Sequence, residues 1–294
     1  MNIKILTKRS VTLYLRDKQA VFFSFLSTII LIALYFLFIA QMYASSFDYA
    51  APGLFTKDAQ YFIIYLQMMA GVLVLNSISL ALGVFSTVAK DFETRRTDSF
   101  MLTKATPSQL QISYFAAAYI VSLLMNLLTW LVSLALIYAV TGYVISGAAI
   151  LVSIGVLAVC SLLSCALMLF VTALVKSSTA IGVINGIAGT FLGFLCGIYM
   201  PYSNLGKTAE TVGSVLPFTH LVIWLKQTVL ESAFAQVSVP SGLTDMILGE
   251  FFSAKSVGFL SFDTSLTVMV CYAAVFAGAC LVAAVVLQKK RLTK

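Results

Sequence analysis

Two adjacent stretches decide the fold of this chain: YFIIYLQMMAGVLVLNSISLALGVFSTV (61–88) and AKDFETRRTDSFMLTKATPSQLQ (89–111). The first has no charged side chain and exceeds the roughly 20 apolar residues, at about 1.5 Å rise each, that a helix needs to cross a bilayer. The second carries the densest charge in the sequence. An uncharged run that ends in a charged connection predicts a membrane-spanning helix that emerges at an aqueous face.

Five further apolar runs have the same character. The six predicted spans cover residues 20–42, 61–88, 110–138, 148–174, 180–199 and 265–287. The 294-residue chain is 61% hydrophobic and 10% charged, which is typical of integral membrane proteins. Because lipid requires internally paired backbone groups, and because the runs are continuous rather than alternating, the predicted fold class is an all-α membrane protein. We expect a separate helix over 1–19 and one transmembrane domain over 20–294.

The positive charges alternate between the connections in a way that predicts the topology. If both termini lie on one side, that side receives 14 of the 18 Lys and Arg residues. These are Lys4, Lys8, Arg9, Arg16, Lys18, Lys90, Arg95, Arg96, Lys104, Lys176, Lys289, Lys290, Arg291 and Lys294. Since connections rich in Lys and Arg stay in the cytoplasm, both termini are predicted to be cytoplasmic. The net charge of +7 is then an orientation signal, and we expect no nucleic-acid binding.

Two regions outside the spans are predicted to lie along the membrane. Residues 1–19 mix apolar and basic side chains, which indicates an amphipathic helix on the cytoplasmic surface, although a basic flank that only orients the first span explains the same mixture. Residues 200–264 form the largest non-spanning region and are predicted to be extracellular. The apolar stretch at 216–235 is too short to cross the bilayer twice, so it predicts a re-entrant or interfacial helical pair that protein buries.

The charged connection at 89–109 contains an apolar triplet, Phe100, Met101 and Leu102. One interpretation is a short, partly apolar helix within 93–104, which is suited to docking a partner protein. The other is a solvated connector, and the residues alone leave both open.

Uncharged polar side chains interrupt several spans. Gln67 and Asn76 lie in the second span, Asn126 in the third and Asn185 in the fifth. Such residues either cross-link helices through hydrogen bonds or line a transport pathway, and we treat Gln67, Asn76 and Asn185 as candidate pathway residues. No ionisable side chain is placed firmly in the middle of the membrane, which argues against a proton relay.

The fifth span carries glycines at four-residue spacing. Gly182 and Gly186 form one GxxxG pair, and Gly189, Gly193 and Gly197 form a double one. This spacing places each set on one helix face, where another backbone can approach closely. Packing within the chain, a subunit interface and a helix that slides during gating are the three interpretations.

We find no catalytic constellation, cofactor site or metal site in the sequence. His220 is the single histidine and is interpreted as structural. The five cysteines, at positions 160, 165, 196, 271 and 280, fall in predicted spans, so neither a disulfide framework nor a metal centre is expected. Gly206-Lys207-Thr208 ends like a phosphate-binding loop, but position 201 is Pro where that loop begins with Gly. Energy for uphill transport would therefore come from a partner.

Three segments together resemble the permease subunit of an ABC-2-type ABC transporter with a type V exporter-like fold. They are LYLRDKQAVFFSFLSTIILIALYFLF (13–38) with its basic leader, KDFETRRTDSFMLTKATPSQLQ (90–111), and MPYSNLGKTAETVGSVLPFTHLVIWLKQTVL (200–230). The second is similar to the family's Glu/Arg-rich turn followed by "L…TP", except that Arg95-Arg96-Thr97 stands where the family often has Arg-Gly-Thr. The order of these segments carries the resemblance over the whole chain.

The resemblance implies a subunit that pairs with a second copy or a sister permease and binds two cytoplasmic ABC ATPase subunits, which hold ATP and Mg. Residues 2–18 would be a connecting helix, and the second and fifth spans would flank the central pathway. The residues implied in coupling to the ATPase are Glu93, Arg95, Arg96, Phe100, Met101 and Leu102. With the charge asymmetry, the resemblance implies a bacterial plasma membrane.

The predicted function is therefore ATP-driven export of an amphipathic or hydrophobic substrate, such as a drug, an antimicrobial peptide or a lipid. Spans without charged lining suit such cargo. Glycan or lipid export by the same family is an alternative, for which Tyr61, Phe62 and Tyr65 are an aromatic hint. A stand-alone channel or a membrane sensor without an ATPase is the rival from another class.

Overall fold

The computed structural model describes residues 3–50, 53, 55–97, 106–175, 177–199, 205–237, 239, 241–252, 254 and 266–292. This part of the chain is helical and contains no strand, in agreement with the predicted all-α class. Its helices are α1 (Ile3–Arg16), α2 (Lys18–Leu34), a π-helical turn (Tyr35–Ile39), α3 (Ala40–Ala50), α4 (Lys57–Glu93), α5 (Pro107–Thr141), α6 (Gly147–Leu174), α7 (Ser178–Leu195), α8 (Lys207–Ser214), α9 (Pro217–Val237), α10 (Ser241–Met246), a second π-helical turn (Ile247–Phe251) and α11 (Leu266–Leu292).

Within the described residues, six helical segments are long and apolar enough to cross a membrane, and they correspond to the six predicted spans. The first runs without a break through α2, the π-helical turn and α3, with its apolar centre at Thr28–Ser45. The second is α4, which extends beyond the predicted span at both ends. The other four are α5, α6, α7 and α11. The predicted number and order of spans are therefore confirmed.

Polar caps set where several of these helices begin and end. Thr106 and Gln109 form a capping box at the start of α5, in which the side chain of each accepts a hydrogen bond from the backbone N–H of the other. Ser146 and Ser177 cap α6 and α7 through single hydrogen bonds. Gly142 ends α5 in the left-handed conformation (φ +73°), which glycine adopts without strain.

The helix α4 forms the centre of the bundle. Its spanning segment is 89% buried, whereas that of α7 is 12% buried. α5, α6, α7 and α9 all pack against α4, as do α2 and α3. Since α4 and its neighbours are similarly apolar, this central position follows from packing and was not visible in the hydropathy.

The amphipathic helix α1 packs along α5. Leu6, Ser10 and Tyr14 form its buried face, and the hydroxyl of Thr7 donates to the carbonyl oxygen of Ser113 at 3.5 Å. Ile5, one of several apolar side chains on its other face, is 63% exposed. The helix therefore has one face on the bundle and an outward face that mixes basic and apolar side chains.

Two ends of the bundle are distinguished below. The Asp91 end holds Arg9, Asp91 and Ser178, where α1, the end of α4 and the start of α7 meet. The Lys226 end holds Gly197, Lys226 and Phe252, where the end of α7 meets α9 and the second π-helical turn. Which end faces the cytoplasm stays a prediction from the charge distribution.

The predicted extracellular region contains α8, α9 and α10. Where the sequence predicted a helical pair over 216–235, the structure has the single helix α9, which packs on α4, α6 and α11. The stretch contains no residue that breaks a helix after Pro217, and Pro217 itself occupies a first helical position, where proline is tolerated.

Candidate functional site

Asp91, near the end of α4, gathers three side chains that we call the Asp91 cluster: Arg9, Arg96 and Tyr114. The guanidinium of Arg9 donates to both carboxylate oxygens, with Nη1–Oδ2 at 3.1 Å and Nη2–Oδ1 at 3.5 Å. The hydroxyl of Tyr114 donates to Oδ2 at 3.1 Å, and Nη1 of Arg96 lies 3.9 Å from Oδ1. Asp91 is only 6% exposed, whereas the side chain of Arg9 is 29% exposed, so water screens this two-point pair in part. It ties α1 and α5 to the end of α4.

Glu93 binds the start of α7. Its Oε1 accepts from the backbone N–H of Ser178 at 2.8 Å, and its Oε2 accepts from the hydroxyl of Ser178 at 2.8 Å. A carboxylate at a helix N-terminus satisfies a free N–H and opposes the helix dipole. The predicted coupling residue Glu93 therefore contacts the chain's own fifth span, and its contact with a partner stays a prediction.

The other predicted coupling residues lie at the edge of the described chain. Arg95 adopts a left-handed conformation (φ +53°) directly after α4, and its side chain, like that of Arg96, is exposed. Phe100, Met101 and Leu102 lie outside the described residues. The structure thus brings Glu93 and Arg96 to the Asp91 end together, while the docking helix stays a prediction.

A polar network crosses the middle of the bundle around Asn76. The hydroxyl of Thr28 donates to Asn76 Oδ1 at 2.7 Å, while Asn76 Nδ2 donates to Asn126 Oδ1 at 3.1 Å and to Thr129 Oγ1 at 3.2 Å. Asn126 Nδ2 in turn donates to Ser77 Oγ at 2.6 Å. These bonds cross-link α2, α4 and α5, which was one of the two roles that the sequence left open for Asn76.

Asn76 also borders a cleft of about 60 Å³ between α2, α4 and α7. Its wall includes Thr28, Asn76 and Ser79 on one side and Gly189 and Tyr199 on the other. The cleft is large enough for a small part of a ligand or a few waters. A pathway role for Asn76 therefore stays compatible with its cross-linking role.

Gln67 and Asn185, the other two candidate pathway residues, do not join this network. Gln67 is 2% exposed, and its Oε1 has no hydrogen-bond partner among the described residues. An unpaired buried amide oxygen is costly, so this atom is available to water or a ligand. Asn185 lies in α7, and its side chain is outside what the structure describes.

The glycines of α7 differ in their surroundings. Among the described residues, no atom lies within 4 Å of a Cβ built at Gly182, Gly186 or Gly189, so these three make no close packing within the chain. A Cβ at Gly193 would overlap the ring of Tyr199, and Gly197 adopts φ +61° after the end of the helix. Within the described residues, the carbonyl oxygen of Gly189 accepts a hydrogen bond from the Tyr199 hydroxyl at 3.4 Å, and a subunit interface at Gly182, Gly186 and Gly189 stays a prediction.

Sequence reasoning missed the most deeply buried charged side chain among the described residues, that of Lys226 in α9. It is 1% exposed, and its Nζ donates to the carbonyl oxygens of Gly197 and Phe252, each at 2.9 Å. Burial lowers the pKa of Lys226 to about 7. The available signal was a single Lys in the apolar run LVIWLKQTVL (221–230).

The histidine and the cysteines have structural surroundings. His220 Nε2 donates to the carbonyl oxygen of Ser214 at 2.9 Å, and its ring meets that of Tyr272 edge to face. Burial lowers the pKa of His220. All five cysteines are free thiols, and no group of three metal-binding side chains occurs within the described residues.

The six membrane-length helices define a multi-pass membrane protein. Comparison with known families gives a more specific result: the family model described as ABC-2 type transporter matches residues 1–230. The chain therefore belongs to the ABC-2 type transporter family, and it is a membrane component of a transporter. The match includes the Asp91 cluster, the Asn76 network and Lys226. A search of curated proteins finds no match to the chain.

Proposed function

We propose that this chain is the permease subunit of an ATP-driven exporter, and that separate cytoplasmic ATPase subunits, two per pair of permeases, supply the energy. The Asp91 cluster is the observation that carries this proposal. It gives the N-terminal helix and the end of α4 a shared, part-buried ion pair at the end of the protein that the charge distribution predicts to be cytoplasmic. A partner that moves this connection would then move α1 and α4 together.

The contact of Glu93 with Ser178 extends this linkage to α7. A displacement of the α4–α5 connection would reach the start of the fifth span through two hydrogen bonds of 2.8 Å. α7 packs mainly against α4 and has little other burial along its length, so a shift of α7 breaks few helix–helix contacts. ATP-driven rocking of α4 and α7 is the motion that we propose for transport.

The substrate that fits this arrangement is amphipathic or hydrophobic. The cleft between α2, α4 and α7 is lined by the apolar side chains of Val72 and Leu75 and by the polar groups of Thr28, Asn76 and Ser79. An apolar surface with a small number of polar groups is typical of sites for drug-like or lipid-like molecules. We propose outward transport across a bacterial plasma membrane, with a second copy or a sister permease completing the pathway.

Glycan export is the second candidate, and the aromatic residues that suggested it are packed among themselves. The rings of Phe36 and Tyr65 stack with centroids 4.1 Å apart, and Tyr61 stacks on Tyr65 at 5.7 Å. Phe62 stacks on Tyr143 at 5.3 Å. Rings in contact with each other present less surface to a sugar, so we favour amphipathic cargo.

The first test identifies the partner. The tagged chain is purified from native membranes in mild detergent, and co-purifying proteins are quantified by mass spectrometry. We expect a near-equimolar soluble subunit with a complete phosphate-binding loop. If intact, monodisperse protein carries no such subunit, a stand-alone channel or sensor replaces the exporter.

The second test separates coupling from assembly. In the reconstituted complex, Asp91→Asn should leave ATPase binding intact and lower substrate-stimulated ATP hydrolysis about tenfold, because the charge-assisted pair with Arg9 is lost. Asp58→Asn, at the opposite end of the same helix and exposed, is the matched control.

Replacing Arg95, Arg96 and Met101 together tests the docking helix. Unchanged stimulation in that triple variant would remove the coupling role of 93–104.

A further inference from the structure

The chain reverses direction directly after α7, at residues 196–199. Gly197 adopts φ +61°, and the carbonyl oxygen of Gly193 accepts hydrogen bonds from the N–H groups of Ile198 at 3.0 Å and Tyr199 at 3.1 Å. These hydrogen bonds give a partner to a free carbonyl oxygen at the C-terminal end of α7, as is common in helices that end with glycine. It leaves the carbonyl groups of Gly197 and Ile198 beyond the helix, where they need partners from other elements.

Two side chains from different helices supply those partners. Lys226 of α9 donates to the carbonyl oxygen of Gly197 and, at the same distance of 2.9 Å, to that of Phe252. The hydroxyl of Tyr35, in the π-helical turn between α2 and α3, donates to the carbonyl oxygen of Ile198. Consecutive carbonyl groups are thus bound from α9 and from the first span.

The side chain of Ile198 fixes the same turn against α4. A Cβ built at Gly71 would lie 2.5 Å from Ile198 Cγ2, so the turn occupies the space that any larger residue at position 71 needs. α7 itself is 12% buried over its spanning segment. Its C-terminal end is therefore held by the 196–199 turn more than by packing along the helix.

The partners of Lys226 make this attachment reversible. Within the described residues, the ammonium faces carbonyl groups and the Cys196 thiol, and no carboxylate lies within salt-bridge distance of it. A buried charge without a counter-charge loses much of its hydration, which it regains on release. The free energy lost when the two hydrogen bonds break is therefore offset by the hydration of the released ammonium. A buried Lys–carboxylate pair would be harder to separate.

We propose that Tyr35, Lys226 and the carbonyl groups of Gly197, Ile198 and Phe252 form a latch that holds the C-terminal end of α7 closed against α9 and the first span. The existence of this latch does not depend on the proposed function. Its opening when substrate passes this end of the protein rests on the proposed function.

Hydrogen exchange of the full chain in lipid nanodiscs tests the latch without any transport assay. Lys226→Met should raise exchange of the Ile198 and Tyr199 amides about tenfold, together with that of Phe252 and Ala254, because both carbonyl contacts are lost. Gln227→Met is the matched control, since the side chain of Gln227, among the described residues, donates to the carbonyl oxygen of Ala254, at 2.8 Å. It should raise exchange near 252–254 and leave 198–199 unchanged. Exchange at 198–199 that stays within twofold of wild type in Lys226→Met, or rises equally in Gln227→Met, overturns the latch.

Tyr35→Phe keeps the test decisive if Lys226→Met does not fold. This change removes one hydroxyl and should also raise exchange at Tyr199, the residue that follows the bound carbonyl. No change in Tyr35→Phe contradicts the latch. In the assembled transporter, ATP with substrate should raise exchange at 198–199 in the wild-type protein. Unaltered exchange there, with the nanodisc results as expected, rejects opening during transport while the latch itself stands.

Discussion

The two ends of α7 are held by opposite charges in opposite surroundings. At its N-terminus, the carboxylate of Glu93 is exposed and binds Ser178; beyond its C-terminus, the ammonium of Lys226 is buried and binds the carbonyl of Gly197. Each charge has the sign that the helix dipole favours at that end. Water screens the first interaction and not the second, so similar hydrogen bonds are expected to differ greatly in energy.

The largest effect is expected from reversing the buried charge. Lys226→Glu places a carboxylate beside two carbonyl oxygens in a site that is 1% exposed, and neither oxygen can donate to it. We expect a loss of about 3–5 kcal/mol, enough to prevent a folded protein from accumulating. Size-exclusion chromatography of a fluorescent fusion measures this. A monodisperse peak at wild-type yield would mean that Lys226 is not buried in this way.

Two glycine substitutions in α7 compare the stability effect of a close contact near the C-terminal end of the helix with that of an open position on its face. Gly193→Ala forces the ring of Tyr199 out of place and should destabilise the protein by about 1–3 kcal/mol. Gly189→Ala meets no described atom within 4 Å and should be neutral or stabilising by up to about 1 kcal/mol, through helix propensity. Thermal unfolding in detergent compares them. Destabilisation by Gly189→Ala equal to that by Gly193→Ala would contradict this assignment, and impaired subunit assembly in Gly189→Ala alone would support an interface there.

The pH dependence of stability distinguishes the two ends further. The folded protein releases the Lys226 proton near pH 7, whereas the unfolded chain retains it until about pH 10.5. Because the unfolded state binds more protons between these values, stability rises with pH there, by at most about 1.4 kcal/mol per unit. The difference in unfolding midpoint between wild type and Lys226→Met should therefore shift in favour of wild type from pH 7 to pH 9. A difference that does not change with pH would show an ordinary pKa for Lys226.

The smallest effect is expected at the exposed end. Glu93→Gln keeps an acceptor for the Ser178 N–H and removes only the charge, so its effect on the unfolding midpoint should be small. That effect should disappear between about 0.05 M and about 0.5 M salt, because the Debye length falls well below 10 Å. The effect of Lys226→Met should persist over the same range. Equal salt sensitivity of both variants would contradict the difference in burial.

Much of the fold could be predicted from composition, because lipid makes apolar length the dominant constraint on a spanning helix. The six spans follow from it. The central place of α4 could not, since it depends on which apolar faces meet. The single helix over Pro217–Val237 was predicted as a pair of short helices. The prediction considered only that this stretch is too short to cross the bilayer twice.

The candidate site was predicted less completely. Asn76 was identified because an amide in an apolar run is unusual. Arg9 was counted only as a topological charge and Asp91 was not singled out, since a contact across 82 positions leaves no local pattern. Lys226 was treated only as part of the predicted extracellular region 200–264. Its partners Gly197 and Phe252 lie 29 and 26 positions away, so the sequence around it gave no sign of these contacts. The docking triplet Phe100–Leu102 lies outside the described residues and stays a prediction.

The network around Asn76 has a consequence for how the protein is made. The amide of Asn76 enters the membrane when α4 is inserted, yet its partners Asn126 and Thr129 belong to a helix synthesised later. Until α5 arrives, the amide nitrogen lacks both of its acceptors within an apolar helix. A nascent chain that stops before residue 126 therefore exposes an unsatisfied polar group, which membrane chaperones and quality-control proteases can recognise.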